Sequence, residues 1–353
     1  MADEIIKTLD TLSTKTQLTS LRYNPDGTQL AAAGFDGHIH LWQQDFDGSW
    51  LCLRPISGHN GWVTKLRWLP DQNRILSADS WGGIRFTDID PFTNASKTIW
   101  ELKDAHDGWV RDISLSDDGS KFASCSRDKT LKIWDTETGK STFTKALETE
   151  PFAILLSSTQ PHVLYGDLFG KLILWDFEAD QQVQEYDGSA FHNLHRLQDI
   201  AGLRSLLWSK DGKQFIAAGS NPETGATVKS SPLIQIYETE SGKLLHSHKP
   251  GENKYGFIDD IVTIPDHPKQ HIIGITSGTP GTGKLFIVEP GNETLIYENT
   301  KIPNPHSLTI HPKNKTFALT STNKGSNGNG RRLNKEGEYV GNNSPVHFFE
   351  LVS

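Results

Sequence analysis

Residues Ala105 to Asp135, AHDGWVRDISLSDDGSKFASCSRDKTLKIWD, decide the fold. They read as three short strands, VRDISL, FASCS and LKIWD, separated by the turns SDDGSK and RDKT. Short runs rich in β-branched and apolar residues, bounded by Asp, Gly and Ser, are strands joined by hairpins. The six-residue turn at Ser116 recurs along the chain: NPDGTQ from Asn24, LPDQNR from Leu69, SSTQPH from Ser157, SKDGKQ from Ser209, IPDHPK from Ile264 and HPKNKT from His311. Counted at the third position of each (Asp26, Asp71, Asp118, Thr159, Asp211, Asp266, Lys313), the spacings are 45, 47, 41, 52, 55 and 47 residues. One unit of about 40–45 residues is therefore repeated with insertions.

An apolar strand precedes each turn and a second strand rich in small residues follows it. A third strand ends on Trp42-Gln43, Thr87-Asp88, Trp134-Asp135, Trp175-Asp176, Tyr237-Glu238, Val288-Glu289 or Phe349-Glu350, and a fourth follows a further turn. Almost no segment has a 3.6-residue apolar period, so the chain is expected to be all-β. Here the sequence resembles the WD40-repeat family, in which His106, Ser124, Asp128 and Trp134 of the quoted unit correspond to a hydrogen-bonded tetrad. The resemblance implies a seven-bladed β-propeller of four antiparallel strands per blade, with 1–353 as one domain. Gly58-His59 opens a second unit, but its third strand ends on Thr87, so that tetrad is incomplete. The last unit supplies three strands ending at VHFFEL, and the apolar segment Ile5 to Leu12 is expected to complete it, removing an exposed sheet edge.

The 353 residues carry 35 Lys+Arg against 43 Asp+Glu, a net charge of -8 that argues against a nucleic-acid-coating surface. No apolar run reaches the length of a membrane span, and the first residues lack the pattern of a secretory leader. With only two cysteines, Cys52 and Cys125, the expected location is a reducing one, the cytoplasm.

In such blades the second-to-third-strand turns and the connections to the next blade share one face, the top. Short second-to-third-strand turns in blades one to four contrast with insertions at Asn221–Pro232, Gly278–Gly283 and Asn323–Ser344. The connection Gly188–Gly202 is also long, so a wall is expected over blades five to seven. On the low side, Phe35, Trp81 and Phe169 occupy turns where a polar residue is more soluble, while Trp62 and Trp109 stand before the first strands of blades two and three. With Arg111 and Arg127 nearby, these are the composition of an interface core.

Signals of chemistry are weaker. GTPGTGKL, Gly278 to Leu285, has phosphate-loop spacing, but a strand rather than a helix is expected after it, so it reads as a turn. His192 and His195 of the blade four to five connection, with His246 and His248, form a candidate metal cluster. Asp259, Asp260 and His306 form a candidate carboxylate–imidazole group near the channel. The expectation is a non-catalytic scaffold, without cofactor or metal, that binds a protein or peptide on the top face as a monomer or within a multiprotein complex. The alternative is a propeller enzyme or small-molecule or metal-binding protein using the channel mouth near blades five to seven. Nucleic-acid binding by a basic arm of Lys324, Arg331, Arg332 and Lys335 is a third reading.

Overall fold

In the computed structural model, residues 5–70, 72–195, 198–223, 229–279, 281–322, 332–333, 339–340 and 343–352 are described. Among them are seven four-stranded antiparallel sheets, each a blade of a seven-bladed β-propeller. Blade three is Val110–Leu115, Lys121–Ser126, Thr130–Asp135 and Ser141–Ala146. Burial is greatest in the second strands and falls toward the rim. In blade one the second strand, Gln29–Gly34, is buried throughout, and its Ala31, Ala32 and Ala33 leave room for the flanking sheets. In blade three the fourth strand alternates between exposed and half-buried residues.

The core is divided among the gaps between blades. Ala31, Ala33 and Leu41 of blade one pack on Val63, Leu66 and Ile75 of blade two. Ala123, Leu131 and Ile133 of blade three likewise pack on Ile154, Leu156 and Val163 of blade four. A blade buries its apolar faces only between neighbours, so the ring must close. It closes as expected: Ile6–Leu12 pairs antiparallel with Val346–Leu351, from Ile6 opposite Leu351 to Leu12 opposite Val346. Ile6 is buried against Phe349 and Leu351.

In blades one to six the first strand carries a β-bulge after its first or second residue. The unpaired residues are Thr19, Thr64, Arg111, Phe152, Arg204 and Asp259. A bulge re-aims the side chain it frees. Thr19 donates to the Val63 carbonyl (2.6 Å) and Thr64 to the Val110 carbonyl (3.1 Å), each stitching its blade to the next.

Two expected loops are partly strand. The Asn221–Pro232 insertion continues the blade-five ladder, with Gln214–Glu223 paired to Lys229–Glu238 as far as Glu223 opposite Lys229. Gly188–Gly202 forms a short 3-10 turn, Ser189–Phe191, and a hairpin of His192–His195 with Gln198–Ala201. The two brace each other, which sustains the pairing: Asn221 Nδ2 donates to the Ala190 carbonyl (2.7 Å) and Asn193 Nδ2 to that of Pro222 (3.0 Å). Asn323–Ser344 lies largely outside the described residues, as do Lys324, Arg331 and Lys335. Within it Arg332–Leu333 pairs with Tyr339–Val340.

Burial holds the histidines His106, His248, His271, His306, His311 and His347 below the usual imidazole pKa. As pH falls through the unfolded value of about 6.5, the unfolded chain takes up protons that these rings resist, and stability falls. Asp259 acts in the opposite sense. Burial pushes it up to about 7, against a Ser277 hydrogen bond and the Arg204 charge, with Asp260 adding to the rise. With six groups against one, the melting temperature is expected to fall by a few degrees on acidification from about pH 7.5 to 5.5, as thermal denaturation would read. A flat profile would contradict this.

Candidate functional site

The tetrad residues meet in blade three. His106 Nδ1 donates to Asp128 Oδ2 (3.0 Å), while Ser124 Oγ donates to His106 Nε2 (2.7 Å) and accepts from Trp134 Nε1 (2.8 Å). Blade two departs from this pattern in an informative way. His59 and Ser77 keep their places, 2.8 Å apart, but the carboxylate has moved two residues back, to Asp79, 2.8 Å from His59. Asp79 Oδ1 accepts the backbone N–H groups of Trp81 (2.8 Å) and Gly83 (2.9 Å), so it organises the turn from below. Burial raises the Asp79 carboxyl, but the His59 and backbone hydrogen bonds outweigh it and hold the group below the usual carboxylate range. At the end of the chain Thr87 Oγ1 is buried without a partner, as the incomplete tetrad implied. Blade four repeats the shift: Asp167 Oδ1 accepts from the N–H groups of Phe169 and Lys171, both at 2.9 Å. Moving the carboxylate frees the turn position for an aromatic ring, Trp81 in one blade and Phe169 in the other.

The rings of blades one to three form an arc. Phe35 and Trp62 are 4.8 Å apart between centroids, and Trp62 meets Trp109 edge-on at 6.1 Å. Arg111 continues the arc inward, its guanidinium 4.7 Å from the Trp109 ring and 5.1 Å from that of Phe152. Phe35, Trp62, Trp81 and Trp109 line an open depression of about 480 Å3. Trp81 is 69% exposed and Trp62 46%, so neither is simply packed between blades. Phe169 separates from the group. Its ring meets His192 edge-on at 5.2 Å, placing it against the wall that follows blade four. Arg111 pairs with Glu150 (Nε to Oε1 2.6 Å), and Arg127 is exposed on the turn beside Gly108.

Sequence reasoning missed Phe152, Arg204 and Phe257. Phe152 and Arg204 are bulge residues, and Arg204 stacks over Phe257 at 4.6 Å. The signal available was positional: the bulge residue near the start of the first strand, Thr in blades one and two, becomes Arg, Phe, Arg and Asp in blades three to six. The channel mouth thus runs from hydroxyl staples to a cationic and aromatic arc that continues the outer rings.

The candidate chemistry near blades five to seven does not assemble as a carboxylate–imidazole group. Asp260 pairs with Arg22 (3.2 Å) and accepts the Leu308 N–H (3.1 Å), while His306 faces the backbone carbonyls of Leu18 (2.6 Å) and Asn304 (3.1 Å). These groups join the first strands of neighbouring blades. No cluster of three or more His, Cys, Asp or Glu side chains with metal-ligand placement occurs among the described residues. Lys284 of the phosphate-loop-like segment lies in the strand Gly283–Val288, bonded to Glu298 (2.7 Å) and the Pro250 carbonyl (3.1 Å).

The family model for the WD domain, G-beta repeat, matches residues 6–43, 50–88 and 96–135. Each match begins on an outer strand and continues through the first three strands of the next blade, so the sequence repeat is offset from the blade by one strand. The chain is similar to the small ribosomal subunit protein RACK1 of Neurospora crassa, 25% identical over 169 residues, 45% of this chain and 49% of that protein. It is similar to pre-mRNA-processing factor 17 of Saccharomyces cerevisiae, 27% identical over 58% of this chain and 43% of that protein. The APC/C activator protein CDC20 of the same organism is 25% identical over 66% of this chain and 37% of its own length. The aligned region thus spans less than half of each of these relatives.

Proposed function

Because the chain is a WD40-repeat β-propeller, a family of generally non-catalytic scaffolds, we propose that it is an interaction platform that docks a protein or peptide segment on its top face. The observation that carries this reading is the continuous arc from Phe35 through Trp62, Trp109 and Arg111 to Phe152. Exposed aromatic surface is a solubility liability unless a partner covers it, and aromatic and arginine side chains supply the anchors of interfaces. A partner side chain entering the depression beside Trp81 would be enclosed by rings, while its backbone runs toward the channel mouth. The names of the relatives place them in a ribosomal subunit, in pre-mRNA processing and with the APC/C, which supports a partner within a larger assembly. A cytoplasmic setting is part of the same proposal, supported by the free thiol of exposed Cys52.

The triple change Phe35→Ser, Trp62→Ser and Trp81→Ser is expected to abolish retention of the native partner in pull-downs while leaving the β-sheet circular dichroism signal unchanged. Each lost anchor contributes about 1–2 kcal/mol. Phe169→Ser should weaken retention less, and Asp118→Ala on the opposite face should leave it untouched. Retention by the triple variant together with loss in Asp118→Ala would place the interface on the other side of the ring.

A further inference from the structure

The face opposite the aromatic arc carries its own groove, of about 940 Å3. It is built where the first-to-second-strand turns of blades seven, one and two meet the third-to-fourth-strand turns of blades one and two. Two phenylalanines stand at it: Phe92 is 92% exposed and Phe46 fully so, with half-exposed Leu51 beside them. Both are held on closed turns. Around Phe46, the Asp45 N–H donates to the Ser49 carbonyl (2.8 Å), that of Gly48 to the Asp45 carbonyl (3.0 Å), and Phe46's own to Asp45 Oδ1 (2.7 Å). Around Phe92, Asp90 Oδ1 accepts from the N–H groups of Phe92 (3.0 Å) and Thr93 (2.7 Å). Asn94, in the left-handed region at φ 56°, fastens that turn to blade one by accepting from Gln29 Nε2 (2.8 Å). Anchors fixed in advance lose little freedom on binding.

Between the rings the lining is made of amides, among them Gln29, Gln43, Asn73 and Asn94. These amides are tied into the protein, Gln29 Nε2 donating to Gln43 Oε1 (2.9 Å) and Asn94 Oδ1 (2.8 Å), Gln43 Nε2 to the Thr28 carbonyl (3.0 Å) and Asn73 Nδ2 to that of Ile89 (2.9 Å), so they give the groove a fixed polar floor. The charge is one-sided. Asp26 and Asp45 line the groove, and Asp47 and Asp90 belong to the turns that carry the phenylalanines. Lys313 is the only basic residue lining it among the described residues, and its charge acts on Asp26. The hydrogen bonds of Ser49 and Thr93 hold Asp47 and Asp90 below the usual carboxylate range, so both are ionised at neutral pH.

We propose that this groove is a second docking surface, and that its occupant is an extended peptide segment in which apolar side chains alternate with Lys or Arg. The apolar side chains pack on Phe46, Phe92 and Leu51, and the basic side chains reach the four carboxylates. The site lies on the face away from the aromatic arc and is independent of it, so the ring can hold two partners at once.

Fluorescence anisotropy with the full chain tests this, using labelled peptides of about a dozen residues. The alternating Leu/Lys peptide is expected to saturate, and alternating Leu/Glu and Ser/Lys peptides are not. Phe46→Ser with Phe92→Ser should weaken Leu/Lys binding at least tenfold. Asp45→Asn, Asp47→Asn and Asp90→Asn together, which keep the side-chain acceptors of both turns, should do the same. The Phe35→Ser, Trp62→Ser and Trp81→Ser variant should bind the peptide as the unaltered chain does. The proposal is overturned if the Leu/Lys peptide fails to saturate, if Ser/Lys binds as well, or if the phenylalanine variant binds unchanged. Sedimentation showing a dimer of the unaltered chain that the phenylalanine variant loses would assign the groove to a second copy instead, and overturn it too.

Discussion

Deletion of residues 1–12 lowers the melting temperature of the entire ring by about 5–10 °C, as an expected result of taking away the fourth strand of blade seven. The loss has two parts. Ile6 is buried beside Phe349 and Leu351, and Leu12 packs against the cluster shared by blades seven and one. Burial of one such side chain contributes roughly 1.5–3 kcal/mol. The second part is the ladder to Val346–Leu351, whose hydrogen bonds contribute about 1 kcal/mol each. Removing the strand also exposes the edge of Val346–Leu351 for pairing with other chains, so the truncated protein should aggregate more readily. A synthetic peptide covering Ile5 to Leu12 should restore part of the lost stability. An unchanged melting temperature would mean that the ring does not depend on this closure.

Trp134→Ala is expected to destabilise the protein by about 3–5 kcal/mol, because it opens a cavity in a packed gap. The Trp134 ring is 4% exposed and stacks on Phe122 at 5.7 Å with planes 6° apart. Its loss also removes a donor from Ser124 Oγ, which lies in the chain from Trp134 to Asp128. Trp134→Phe isolates this second effect: it keeps most of the stack and leaves the buried hydroxyl under-bonded, for about 1–3 kcal/mol. Asp128→Ala should fall in the same range, since it removes an acceptor from His106 and from the backbone N–H groups of Asp107 and Thr130. Asp88→Ala and Glu289→Ala remove only surface partners of Arg74 and Lys269, and should cost under about 1 kcal/mol. Denaturant titrations of the five variants would order them, and equal losses throughout would show that the tetrad does not anchor blade three.

The two surfaces arise from the same economy of construction. A blade's hydrogen bonds fix its turns at both ends, and those turns can then carry side chains that the core does not need. On one face, displacement of a carboxylate to Asp79 leaves Trp81 free to project. On the other, the Asp45 and Asp90 carboxylates close the turns that hold Phe46 and Phe92 in water.

The sequence by itself determined the seven-fold period, the four-stranded unit and the closure by Ile5 to Leu12, while the tetrad of His106, Ser124, Asp128 and Trp134 came from its resemblance to the WD40-repeat family. The first three depend on turn chemistry and on apolar alternation along the chain, which are local and repeat at a readable interval. The sequence also marked Phe35, Trp81 and Phe169 as residues out of keeping with their turns, and set Trp62 and Trp109 near them before the first strands of blades two and three. Only the tertiary structure decided which of them touch: Phe35 meets Trp62 across a blade gap, whereas Phe169, similar in sequence, turns to His192. It alone placed the Asp79 stand-in, which keeps the function of Asp128 at a different offset from its histidine. It alone brought together the groove of Phe46 and Phe92, whose turns lie on successive blades. Contacts of this kind join residues on different strands and blades, and depend on how closely neighbouring sheets pack around the axis. The aim of Arg111, Phe152 and Arg204 depends on the bulge that frees each of them, which shifts the pairing by one residue and leaves no mark in the apolar pattern.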